Sequence, residues 1–265
     1  MAKRLAKLLH VLKPRRRWMQ LSLRTLFVLV TVLCVALSIW VVPSEKQRRA
    51  VAAIERSGGR VAYAEPDKTR TEPFPCALLR RWLPRDYLDE VQQVNLAYSN
   101  VTDVGLANLH RLTDLRTLIL SHTKITDAGL PHLERLARMQ TLALDETQVT
   151  DAGLAHLQPM THLQTLYLSG IQVTDAGLSH LHGLTDLQTL YLARTHITDD
   201  GLARVKVPMG LHKLDLCGTK VADAGLAALQ TLADLKELYI FRTKITDAGL
   251  TSFRKASPKC TIYGP

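Results

Sequence analysis

From residue 91 onward the leucines fall into one phrase that returns every 24 positions. In one copy Leu115, Leu118 and Leu120 precede Thr123 and Ile125, and Leu130, Leu133 and Leu136 follow; in another, Leu187, Leu190, Leu192, Thr195 and Ile197 hold the same places. Around Leu118 and Leu120, apolar positions alternate with their neighbours, the period-two pattern of a strand buried on one face. Leu130, Leu133 and Leu136 take the spacing of a short helix with one apolar side. Between the two lies ITDAGL, identical at 125–130 and 245–250, whose Asp recurs at Asp103, Asp127, Asp151, Asp175, Asp199, Asp223 and Asp247. Thr126 and Asp127 read as helix N-cap residues. Ala128 and Gly129 read as small residues that allow close contact with the next coil. A fixed period outranks any local motif, so the chain predicts a stack of strand–helix coils.

Adjacent strands sit about 4.8 Å apart, whereas packed helices prefer about 8–10 Å. The stack is therefore expected to curve, with parallel strands on the concave side and short helices on the convex side. The composite phrase LxxLxLxxTxITDAGLxxLxxL resembles a leucine-rich repeat, which implies an α/β solenoid. In such repeats an Asn at the turn after the strand bonds to the backbone of neighbouring coils. Here that position reads Ser99, Thr123, Thr147, Ile171, Thr195, Thr219 and Thr243. A hydroxyl is suited to similar work, so a threonine ladder with an apolar gap at Ile171 is expected.

The first third of the chain follows a different pattern. Residues 1–24 carry eight basic side chains and no acidic one, and Thr25–Val42 then runs 18 residues without a charge, just enough to span a bilayer. The run ends in IWVVP without the small residues of a signal-peptide cleavage site. It is expected to be an uncleaved transmembrane helix, with residues 1–24 cytoplasmic under the positive-inside rule and the repeats on the extracytoplasmic side. Residues 43–90 read as a juxtamembrane region: a helix over 45–59, a strand over 60–64, a proline-broken loop, and a cap built from Leu78, Leu79, Trp82 and Leu83. Residues 91–265 are the repeat domain, closed by SPKCTIYGP. The entry RRRWMQLSLRTLFVLVTVLC, the segment AVAAIERSGGRVAYAE and the TDAGL repeats together resemble bacterial membrane-anchored leucine-rich repeat proteins, which implies an interaction scaffold. The repeats alone are also similar to those of F-box-associated receptors, but no F-box-like stretch precedes them.

Charge narrows the partner class. The net charge is +10, of which residues 1–24 contribute +8 while residues 91–265 are balanced. The basic excess belongs to the membrane flank, where anionic lipid would attract it. Nucleic-acid binding is excluded, because it needs a basic stripe on the folded face. No P-loop, G-x-S-x-G elbow or H-E-x-x-H is present, so no enzyme activity and no cofactor are expected. His132, His156 and His180 recur at one repeat position. On successive helices about 8–10 Å apart they are too far separated to share a zinc ion at about 2 Å, so no metal is expected either. Cys217 and Cys260 lie nearly two repeats apart, too distant for a disulfide.

What remains is the face of the strands turned away from the leucines. Its middle column reads Asn95, Ile119, Ala143, Tyr167, Tyr191, Asp215 and Tyr239, and the next reads Ala97, Ser121, Asp145, Ser169, Ala193, Cys217 and Phe241. Arg194 and Arg242 follow at the rim. Tyrosine and arginine dominate interface hot spots. Tyr167, Tyr191, Asp215, Tyr239 and Phe241, flanked by Arg194 and Arg242, are therefore the candidate contacts for a protein or peptide partner. The competing reading is a spacer or lattice contact, in which the aromatic residues are simply good strand formers.

Overall fold

The computed structural model describes residues 31, 45–63, 90–204 and 210–264. The expected membrane span lies outside the described residues apart from Thr31, and so do residues 1–24 and the expected capping leucines at 78–83. No helix among the described residues is long and apolar enough to cross a membrane.

The leucine period becomes one nine-stranded sheet in chain order: β1 (Arg60–Tyr63), β2 (Val91–Asn95), β3 (Thr117–Ile119), β4 (Thr141–Ala143), β5 (Thr165–Tyr167), β6 (Thr189–Tyr191), β7 (Lys213–Asp215), β8 (Glu237–Tyr239) and β9 (Thr261–Tyr263). From β2 onward every pairing is parallel. The register steps by whole repeats, so Leu118 faces Leu142, Leu142 faces Leu166, and the row continues through Leu190, Leu214 and Leu238. All six are at most 1% exposed. A second row, Leu96, Leu120, Leu144, Leu168, Leu192, Leu216 and Ile240, is equally buried. At about 1.5–3 kcal/mol per buried aliphatic side chain, these rows make a large contribution to stability, together with the buried leucines of the return segments.

The return segments are shorter than a regular amphipathic helix. Asp103–Leu106, Asp151–Leu154 and Asp175–Leu178 are single α turns, and Asp127–Leu133 is a 3₁₀ helix containing Pro131. Asp247–Ala256 is the longest of them at 10 residues and buries Leu250 and Phe253. At the other end a helix over 45–56 buries Ala50, Val51 and Ile54 against the same core. Gly58, at φ +87°, turns the chain, and β1 then runs antiparallel along β2.

The repeated TDAGL phrase has a different job from the one its spacing suggests. The aspartates are not helix caps. Asp103 accepts from both the N–H and the hydroxyl of Thr126 in the next coil, at 2.9 and 2.7 Å. Asp127 does the same with Thr150, Asp151 with Thr174, Asp175 with Thr198, and Asp223 with Thr246. Asp199, facing Ala222, keeps only the bond from the N–H, at 2.7 Å. The threonine is the N-cap residue, with its hydroxyl accepting from Ala128, Ala176 and Gly249 in three of the coils. The glycine is small for the sake of the preceding coil, not the next. A Cβ built on Gly129 would lie 2.5 Å from Asp103 Oδ1, and the later copies repeat the conflict. Thr, Asp and Gly thus form one interlock between successive coils.

The threonines after the strands behave differently from a ladder between coils. Thr123, Thr147, Thr195, Thr219 and Thr243 each donate to the carbonyl three residues earlier in their own coil, at 2.5–2.8 Å. A hydroxyl stands one bond from Cβ and reaches only this local carbonyl, whereas a longer amide would extend to the neighbouring coil. Thr195→Val keeps the shape and removes the bond to Leu192, at an expected cost of about 1 kcal/mol. Ile171→Thr supplies the hydroxyl that other coils carry and is expected to leave the melting temperature nearly unchanged. Paired thermal melts check both.

Candidate functional site

In each strand of three, the middle residue enters the core and the outer two look away from it, so whole repeats set alike positions side by side. Strands about 4.8 Å apart hold facing aromatic rings at stacking distance. Tyr167 and Tyr191 stack at 4.5 Å between centroids, with planes 5° apart. Tyr239 and Tyr263 stack at 4.5 Å and 13°. The two pairs flank β7, whose residue in the same column is Asp215. Asp215 is turned to its own strand end, where it accepts from the Cys217 N–H at 2.9 Å. Burial, joined by Asp215, pushes the Cys217 thiol up to about 11.

A cation occupies the gap between the pairs. Lys213 Nζ lies 4.8 Å from the Tyr239 ring centre and 5.6 Å from that of Tyr191, within cation–π range. It donates to the Tyr239 hydroxyl at 3.3 Å and pairs with Glu237 at 2.9 Å. The Tyr239 hydroxyl donates to Glu237 at 3.1 Å. The Glu237 carboxylate holds the Lys213 ammonium well above its usual range, and Lys213, helped by Tyr239, holds Glu237 below its own. A carboxyl depressed in the folded state contributes stability above its ordinary value of 4.5, and that contribution fades as pH falls through the lower folded value. An acid titration followed by the NMR signals of the Tyr239 ring is therefore expected to show one transition below pH 4.5 that is absent in Glu237→Gln.

The expected contacts divide into two groups. Tyr167, Tyr191, Asp215 and Tyr239 share the sheet face on β5 to β8. Phe241, 49% exposed, and the two arginines sit on the turn edge just beyond the strands. Arg194 and Arg242 occupy a left-handed backbone position, φ +58° and +57°, which Tyr98, His122, Glu146, Gly170 and Gly218 also occupy in their coils. Arg194 reaches over Gly170, which offers no side chain, to pair with Glu146 at 2.6 Å. Tyr98 and His122 stack at 4.4 Å on the same edge. Sequence reasoning missed Lys213, Glu237 and Tyr263. Their signal lay in the first strand column, where Lys213 and Glu237 replace the threonine of Thr117, Thr141, Thr165 and Thr189, and in the place of Tyr263 one repeat after Tyr239.

On the helical side His156 bonds Glu134 at 2.7 Å and Gln158 meets His180 at 3.4 Å. Among the described residues no group of three or more His, Cys, Asp and Glu is placed to hold a metal ion. Cys217 and Cys260 are free thiols.

A family model described as Leucine Rich repeat matches residues 111–130 and 183–205. The chain carries leucine-rich repeats. Their α/β solenoid is also that of internalin C2 from Listeria monocytogenes, 24% identical, covering 66% of this chain and 81% of that one at a TM-score of 0.51. A leucine-rich repeat protein of Leptospira interrogans is 19% identical, covering 59% of this chain and 44% of that one at a TM-score of 0.45. No curated protein matches the chain. Leucine-rich repeats of this kind typically serve as scaffolds for protein interaction.

Proposed function

We propose that the protein is a membrane-anchored scaffold that binds a protein or peptide partner through the half of its sheet face running from Tyr167 to Tyr263. The observation that carries this reading is the asymmetry of the face. From β2 to β4 it carries Gln93, Asn95, Thr117, Ile119, Thr141 and Ala143, without an aromatic ring. Its C-terminal half holds two stacked tyrosine pairs around a caged lysine. Rigid aromatic rings held by stacking give large contact area at low entropic cost, and a spacer has no use for them. The charge-free run Thr25–Val42 and the basic residues before it support an anchor with the repeats on the extracytoplasmic side.

Tyr191→Ala with Tyr239→Ala removes one ring from each pair and is expected to weaken capture of any partner recovered with the full chain by more than tenfold, since hot-spot aromatic residues each contribute about 2 kcal/mol or more. Unchanged affinity in a folded double mutant would remove this face from consideration. The anchor is tested separately: the full chain is expected in the membrane pellet after a carbonate wash, with the repeats digested by protease added from outside. A soluble chain starting near residue 43 would contradict it.

A further inference from the structure

Resting on that reading, we infer that the partner is an acidic peptide segment that lays an aromatic or aliphatic side chain against the tyrosines and its carboxylates along the adjoining turn edge. The edge beside Tyr239 carries Lys220, Arg242 and Lys244, all exposed. Lys220 and Lys244 hold equivalent places in successive coils, fixed by the bonds of their own N–H groups to the carbonyls of Ile197 and Val221 at 3.1 and 2.9 Å. Arg242 is set between them in chain order by its left-handed backbone. Among the described residues none of these three cations makes an ion pair, whereas Arg194 and Lys213 are paired with Glu146 and Glu237.

The nearby carboxylates face neutral donors or a helix start rather than these cations. Asp199 and Asp223 accept from Ala222 and Thr246 in the interlock, and Asp215 accepts from Cys217. Asp247, the acid nearest in sequence to Lys244, lies at the start of the last helix. The result is three exposed cations without an ion pair among the described residues, on a repeat domain that is neutral overall. Next to them stand a half-exposed Phe241 and the Tyr239–Tyr263 stack. A ligand of opposite sign pairs with these cations, and such complementarity selects partners and speeds their encounter. The apolar ring beside them selects a chain with at least one apolar side chain rather than a bare polyanion.

The test pans a display library of random twelve-residue peptides on the full chain in neutral detergent. Recovered peptides are expected to be rich in Asp and Glu around one aromatic or aliphatic residue. They are also expected to lose about tenfold or more in affinity against the folded triple variant Lys220→Glu, Arg242→Glu, Lys244→Glu, and to bind less tightly as salt rises. Recovery of neutral or basic peptides, or equal binding of acidic ones to the triple variant, overturns the acidic partner. If those peptides still depend on Tyr191 and Tyr239, the sheet-face reading survives that loss; if they depend on neither set, both readings fall. Displacement of the acidic peptides by phosphatidylserine vesicles but not by neutral ones would assign the three cations to a lipid surface instead, and would also overturn the proposal.

Discussion

Gly177→Ala is expected to lower the melting temperature by about 5–10 °C, a large effect for one methyl group. The added Cβ would collide with Asp151 Oδ1 and stand 3.0 Å from Val173 Cγ1. A carboxylate on a free side chain would swing aside at little cost. This one is held by the Thr174 N–H at 2.8 Å and the Thr174 hydroxyl at 2.6 Å, so moving it breaks two charge-assisted bonds. Overpacking and the loss of such bonds together cost about 2–3 kcal/mol, and each kcal/mol is worth about 2–4 °C in a domain of this size. The mechanism has its own signature. Asp151→Ala removes the obstacle along with the bonds, so the double variant is expected to be clearly more stable than the sum of the singles predicts. Strict additivity, or no loss in Gly177→Ala, would show that the carboxylate is not held in place.

Leu190→Ala is expected to cost about 2–5 kcal/mol, the range for truncating a fully buried leucine. Leu190 is 1% exposed and stands between Leu166 and Leu214 in the central row. Ile262, at the same position of β9, is only partly buried, and its change to Ala is expected to cost less. In a stack where each coil touches only its neighbours, the damage should also be local. Hydrogen exchange is expected to accelerate in β5, β6 and β7 while β2 and β3 keep their protection. Uniform acceleration across the sheet would mean that the repeats unfold as one block.

The strand register and both buried rows were readable because leucines at fixed spacing have one reading once the period is known. The aspartates of TDAGL were misread for a specific reason. A Thr–Asp pair before a helix is fully accounted for by local capping, and nothing local reveals that the bonding partner is a threonine 23 residues further on. The left-handed position went unread although Gly170 and Gly218 mark it, since the other coils fill it with Tyr98, His122, Glu146, Arg194 and Arg242. That position fixes where Arg194 and Arg242 leave the sheet, so the difference in their surroundings was also invisible. Of the candidate face, the tyrosine column was legible from spacing alone. The Lys213–Glu237 pair was not, because its meaning lies in rings contributed by coils on either side.

The interlock also bears on how such a chain changes over generations. Each coil supplies a carboxylate to the coil after it and a notch, at glycine, to the coil before it. A duplication or deletion of a whole 24-residue unit joins a carboxylate to a matching threonine and glycine again, and keeps both leucine rows continuous. Any other length breaks the interlock and the rows at the same point. The number of coils is therefore a quantity that a single genetic event can alter without a redesign of the fold, and with it the length of the surface on which a column of tyrosines can be displayed.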